Sequence, residues 1–237
     1  MVRLTDGEPK PRAAAFARKR TICAASLIDL PRAIECPSID FFEVLNARRS
    51  GLGATLPLKC LSSLLWHSMC LRERRQGRFG IEWESRSAPS AGGLHPIRLL
   101  VLPVDGGEGG IYDDHRHALV PVEREAQYLN RASIGEILGV LEGTTIQFAV
   151  DAALVDACYE NSSSLIWRDA GALTATICLL ATALGLAATP VGRVGNTIVQ
   201  AASLLDGFVG VGAVHVSTLI EASLAGYLKN AEAGEAI

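Results

Sequence analysis

The sequence has little net charge, no C-x-x-C pair and no charged residue from Ala170 to Gly192. Each absence excludes something. A formal net charge of -3 over 237 residues argues against a general nucleic-acid binder. Arg72, Arg74, Arg75 and Arg78 form a local basic cluster, read as a solvated face. The six cysteines (Cys23, Cys36, Cys60, Cys70, Cys158 and Cys178) stand at no zinc-finger spacing with histidine. Several lie in apolar patterns, where cysteine acts as a small hydrophobe. With no signal peptide visible, the expected compartment is a reducing cytoplasm. There is also no GxGxxG after a strand, no P-loop and no HExxH.

The uncharged run is long enough to span a bilayer. It consists largely of Ala, Thr, Gly, Leu and Ile, lacks Trp and Tyr, and is closed by Pro190. The favoured reading is a helix buried all round, in a large core or a subunit interface. With 49% hydrophobic residues the chain can bury a substantial core.

Residues 1–37 read as a flexible or partner-wrapping arm, punctuated by Pro9, Pro11, Pro31 and Pro37. Residues 38–237 read as one domain. Ser38 is placed as the cap of a helix whose apolar face is Phe41, Phe42 and Leu45. A second helix follows at 57–69, with Pro57 in its first turn. Residues 70–86 read as a polar loop. Strands are expected at 97–104, 110–112, 118–122, 146–154 and 208–220. Helices are expected at 133–142, with Ser133 and Glu136 as a capping box, and at 163–187. The irregular alternation predicts an α+β or α/β domain.

Three stretches suggest chemistry. "ARRSG" at 47–51 ends an apolar helix with two arginines, a hydroxyl and a glycine. Arginine forks bind phosphate, but they also cap helix C-termini, and this motif alone does not choose. "DDHRH" at 113–117 permits a metal site but reads better as a hairpin turn. "SAPSAGGLHPIRLLVL" at 87–102 crowds small residues against a strand, as where something approaches the backbone closely. A hydrolase built on Ser90, His95 and Asp113 is conceivable, although Ser90 is in no G-x-S-x-G elbow.

Taken in order, "NARRSGLGATLPLKCLSSLLWHS", "APSAGGLHPIRLLVL", "GGIYDDHRHALVPV", "RDAGALTATICLLATALGLAATPVGRV" and "LLDGFVGVGAVHVSTLI" resemble the flavin-dependent nitroreductase superfamily. The resemblance covers about 38–220, and its SagB-type branch, the azoline dehydrogenases of peptide natural-product pathways, is the most similar. It implies an α+β fold with a mixed central sheet flanked by helices, including a long helix at a dimer interface. It implies a homodimer with FMN between the subunits and ping-pong two-electron chemistry on a small molecule or a modified peptide. NAD(P)H is a possible electron donor, no metal is implied, and neither nucleic acid nor membrane is a partner.

By this resemblance Arg48 and Ser50 hold the flavin phosphate, and Arg49 approaches the ring's polar edge. Pro89, Ser90, Ala91 and Gly92 run along the ring. Gly192 and Arg193 present backbone N–H groups to its reactive edge, where such donors stabilise the reduced ring. Tyr159 stands where the branch has a Lys-Tyr pair and is the catalytic candidate, but its neighbour is Cys158, which removes the obvious general base. Leu52 replaces a second basic residue, Ala175 and Thr176 replace Gln-Asn, and Lys229 is the sole late basic candidate for the phosphate. These departures leave an alternative: a scaffold subunit of the same fold without redox activity, or one that uses flavin as a substrate.

Overall fold

The computed structural model describes residues 5–11, 19–22 and 26–219. Cys23 and Lys229 lie outside them, and the other five cysteines are free thiols. The N-terminal segment contributes β1 (Glu8–Pro9) and β2 (Ile28–Asp29). There follow α1 (Phe41–Ala47), α2 (Leu58–Met69) and a hairpin, β3 (Glu73–Gln76) and β4 (Glu82–Ser85). The central part is β5 (Ile97–Pro103), β6 (Gly110–Asp113), β7 (Ala118–Pro121), α3 (Arg124–Leu138) and β8 (Thr144–Val150). The last part is α4 (Ala152–Cys158), β9 (Tyr159–Glu160), α5 (Ser163–Ala183), β10 (Leu186–Val191), α6 (Asn196–Gln200) and β11 (Val209–Thr218).

Seven strands form one sheet in the order β10-β11-β8-β5-β6-β7-β2. Every neighbouring pair in it is antiparallel. With helices on both faces, the class is α+β. Alternation along the central strands separates two cores. Leu99, Val101, Ile146, Phe148, Val214 and Val216 pack with Leu61 and Leu65 of α2 and Ile177 and Ala181 of α5. Leu100, Leu102, Ile111 and Val120 pack with Ala126 of α3 and Ile198 and Val199 of α6.

Several boundaries differ from the sequence reading. Asp40, not Ser38, caps α1, its Oδ1 accepting the Phe42 N–H at 2.8 Å. Only Val44 of α1 is buried, and Phe41, Phe42 and Leu45 face outward. Pro57 is the N-cap of α2 and not its first residue. Residues 70–86 hold the β3–β4 hairpin. All four residues of β3 are exposed, so no apolar alternation marks it. Cross-strand pairs hold it instead, with Arg75 stacked 3.9 Å over the Trp83 ring. α3 begins nine residues before Ser133, so the capping box falls mid-helix. Its buried positions Ala126, Asn130 and Ile134 repeat every fourth residue, a stripe hidden by the polar residues between. β8 stops at Val150 because Asp151 caps α4, accepting the Leu154 N–H.

α5 is long and apolar enough to cross a membrane by length and composition. Within one chain its burial is one-sided. Ile166, Ala170, Leu173, Ile177, Cys178 and Ala181 face the core, while Trp167, Gly171 and Ala175 lie on the outer face. The described parts of the N-terminal segment lie on the domain of their own chain. β1 pairs with β9, β2 extends the sheet beside β7, and Arg20 grips Asp151.

Candidate functional site

The Pro89–Gly92 turn is built against α5. Ser90 Oγ donates to Asp169 Oδ2 at 2.5 Å, and the Ala91 N–H reaches the same carboxylate at 3.0 and 3.2 Å. Ser90 Oγ also accepts the His95 N–H at 3.0 Å. Burial pushes the Asp169 carboxyl up, while these donors pull it down. Gly92 and Gly93 adopt positive φ, 59° and 62°. A Cβ on Gly92 would stand 2.6 Å from Tyr159 Oη, and one on Gly93 would strike the Trp83 ring. The crowding of small residues is therefore met inside the chain, by Asp169, Tyr159 and Trp83. The Ser90 hydroxyl is committed to Asp169. Among the described residues no histidine side chain reaches it as a base. The His95 imidazole turns to the Glu84 carbonyl, and Asp113 caps its own turn, so Ser90, His95 and Asp113 form no triad.

Sequence reasoning missed Asp169. The available signal was a single carboxylate, beside Arg168, in the second turn of a largely apolar helix. It also missed a charge network behind the turn. Arg86 bridges Glu84 and Asp114, and Lys19 reaches Glu84 at 2.9 Å. Burial alone would raise the Glu84 carboxyl, but Lys19 and Arg86 outweigh it and hold it at about 2. Lys19 in turn is pushed down by its own burial. His95, in the same wall, is pushed down to about 4 by burial and by Arg86. Together these groups line a cavity of ≈ 280 Å³ under the β3–β4 hairpin.

The "DDHRH" stretch is a turn. His117 points inward, with Nδ1 2.7 Å from the Tyr112 hydroxyl and Nε2 2.7 Å from Ser62 Oγ. His115 is exposed, so the two imidazoles do not share a site.

"ARRSG" divides between its two readings. Arg49 Nη1 donates to the carbonyls of Asn46 at 2.6 Å and Arg48 at 2.9 Å, closing the end of α1. Arg48 has no carboxylate partner among the described residues, and its charge acts on the Cys178 thiol of α5. Ser50 is exposed. The segment then wraps β10, where Thr189 Oγ1 donates to the Gly51 carbonyl at 2.9 Å. It closes on β11 through Ala54 paired with Thr218. Gly53 permits this, because a Cβ there would overlap the Thr218 carbonyl.

Gly192 follows the last residue of β10, three residues or about 10 Å beyond Thr189. A Cβ on it would meet nothing within 4 Å, so its face is open. The Arg193 side chain turns away from that face. Its Nη2 donates to Asn130 Oδ1 of α3, and its Nε and Nη1 are buried without partners. Pro89–Gly92 lies at the same end of the sheet, entering β5. In the order β10-β11-β8-β5 the strand it enters is three spacings from the edge, about 14 Å. Arg48–Ser50 and Gly192 thus lie along the edge strand β10, and the turn is tied to α5 through Asp169. Tyr159 sits with the turn, packed edge-on to Phe79 at 5.2 Å, its hydroxyl pushed up by burial.

This donor set suits a flavin mononucleotide. A guanidinium without a carboxylate partner and an exposed hydroxyl match a phosphate monoester, and the open Gly192 face admits a flat ring.

Comparison with known proteins agrees with the architecture. No curated protein matches the chain in sequence. A protein from Ralstonia eutropha JMP134 assigned as a nitroreductase is 21% identical, with a TM-score of 0.62 over 91% of this chain and 99% of that one. A second, from Anabaena variabilis ATCC 29413, is 22% identical with a TM-score of 0.57, over 79% of this chain and 40% of that one. A chain of the E. coli microcin synthetase McbBCD complex, solved with truncated pro-MccB17 bound, is 14% identical with a TM-score of 0.53, over 90% and 89%. The model of the Nitroreductase family matches residues 53–211, from just after Ser50 to beyond Arg193. The strand order, the helices on both faces and this match over two thirds of the sequence together make the chain a member of the nitroreductase family.

Proposed function

We propose that the protein is an FMN-dependent oxidoreductase that works as a homodimer, taking two electrons from one substrate and passing them to another. The observation that carries this reading is the edge-strand arrangement: Arg48 without a carboxylate partner among the described residues, Ser50 exposed, and Gly192 open just past the end of the same strand. When bound, FMN supplies the two-electron acceptor. Arg48 and Ser50 hold its phosphate. The backbone N–H groups of Gly192 and Arg193 face the ring, and the fixed donors favour its electron-rich reduced form. In the homodimer that the family resemblance implies, the Pro89–Gly92 turn of a second copy runs along the ring. The outward Phe41, Phe42 and Trp167 side chains give such a copy an apolar surface. Tyr159 is protonated at neutral pH like any tyrosine, and burial raises it further, so it can donate a proton beside the turn but is a poor base.

A SagB-type role on a modified peptide is the finer form of this reading. It rests on the sequence motifs, and the fold it requires is also that of a component of the McbBCD complex. The Cys158–Tyr159 pair favours a second reading, a subunit of this fold without dehydrogenase activity, because no lysine stands there. Purification separates them. The first reading expects a yellow dimer with a flavin spectrum, bleached by substrate or by NADH or NADPH under anaerobic conditions. A colourless protein that takes up no added FMN overturns it.

A further inference from the structure

Arg193 is a half-buried cation, with Nε and Nη1 shut off from solvent, whose side chain the reading above leaves unused. Among the described residues its guanidinium makes one hydrogen bond, to the neutral Asn130, and its Nε and Nη1 face protein without an acceptor. No carboxylate approaches it among the described residues. Burial lowers it to about 10, so it remains charged at neutral pH. A buried charge without a counter-ion is costly, and where one persists its field is felt by its neighbours. Here a near neighbour is the imidazole of the fully buried His215, which Arg193 helps keep neutral.

The position is specific. Arg193 follows the open Gly192, and the segment is tied from beneath. Gln147 Nε2 donates to the Val194 carbonyl at 2.8 Å, and the Gly212 N–H reaches the same carbonyl. Gly195 is pressed against the Gln147 amide. The backbone of Gly192 thus looks outward from a fixed loop, with an uncompensated positive charge within one arginine side chain of it.

We infer that the Arg193 side chain is a positioning and electrostatic residue: from beneath the Gly192 loop its unpaired charge favours the reduced, anionic form of a flavin held above. This rests on the flavin site proposed above. The side chain touches no cofactor atom. It acts through the loop it braces and through its field.

The test measures FMN affinity by fluorescence titration and the two-electron midpoint potential of bound FMN, in the full-length wild type and in R193M, R193K and N130D. R193M removes the charge. N130D keeps the contact but places a carboxylate on the guanidinium. Both should lower the potential by at least about 30 mV, a tenfold shift in a two-electron equilibrium. R193K keeps the charge and should stay closer to the wild type. If R193M folds poorly or loses FMN, N130D still decides, because it retains the brace. Wild-type potentials in R193M and N130D overturn this inference and leave the flavin site standing. A wild type that binds no FMN overturns both. Loss of FMN from all three variants would assign Arg193 a bracing role alone and overturns the electrostatic one.

Discussion

Asp169, in the second turn of α5, accepts the Ser90 hydroxyl at 2.5 Å across 79 residues of sequence. The same carboxylate takes the Ala91 N–H, so one side chain fixes the shape of the turn that enters β5. The turn and the long helix are thereby one mechanical unit.

Asp169→Ala should destabilise the fold by about 2–3 kcal/mol, because two donors lose a charged acceptor in a buried place. Ser90→Ala should cost about 1 kcal/mol, with Ala91 still bound. Urea denaturation of both single variants and the double variant measures their coupling. Strict additivity would show that the pair does not hold the turn.

Gly92→Ala should cost about 1–2 kcal/mol through its left-handed backbone alone. The nearby Tyr159 hydroxyl adds to that, so Tyr159→Phe in the Gly92→Ala background should recover part of the loss. The resemblance sets Gly92 along the flavin ring, which would put the main cost of a bulky residue there in flavin occupancy, whereas the packing puts it in stability. Thermal melts of the apoprotein distinguish the two. An unshifted Tm in Gly92→Ala would favour the former.

Acid should unfold the protein in two stages. His95 is held at about 4, below its ordinary value near 6.5, so its contribution is complete above 6.5 and is lost as pH falls toward 4. Burial lowers His117 and His215 too, and both act in the same direction. Glu84 is held at about 2, so its contribution is complete above about 4.5 and is lost as pH falls toward 2. That second stage is worth roughly 3 kcal/mol for a carboxylate this deeply buried. His95→Asn, which tolerates the positive φ there, should flatten part of the upper stage. Stability measured from pH 7 to 3 checks both slopes, and a flat profile would contradict the network.

Arg48 and Arg49 should separate in function. Arg48→Ala should weaken FMN binding by about tenfold to a hundredfold, the loss of a charge-assisted bond to phosphate. Arg49→Ala should chiefly fray α1, at a few tenths of a kcal/mol to about 1. Fluorescence titration with FMN compares them, and equal losses would restore Arg49 to the binding site.

The sequence by itself determined strands β5 to β8 and β11, helices α1 and α2, the turn at Pro89–Gly92 and the long helix at 163, but not the edge strand β10. These are set by local signals: β-rich runs, helical spacing of leucines, and glycines where φ must be positive. The tertiary structure alone decided what those signals serve. The β3–β4 hairpin was invisible because it buries no stripe and is held by cross-strand pairs. The partner of Ser90 lies 79 residues away, and no local pattern names it. The two arginines of "ARRSG" are equivalent as letters. Only the path of the chain turns Arg49 back onto α1 and leaves Arg48 beside the edge strand, without a carboxylate partner among the described residues. Long-range contacts are fixed by which elements the sheet brings together, so these roles emerge only once the sheet has formed.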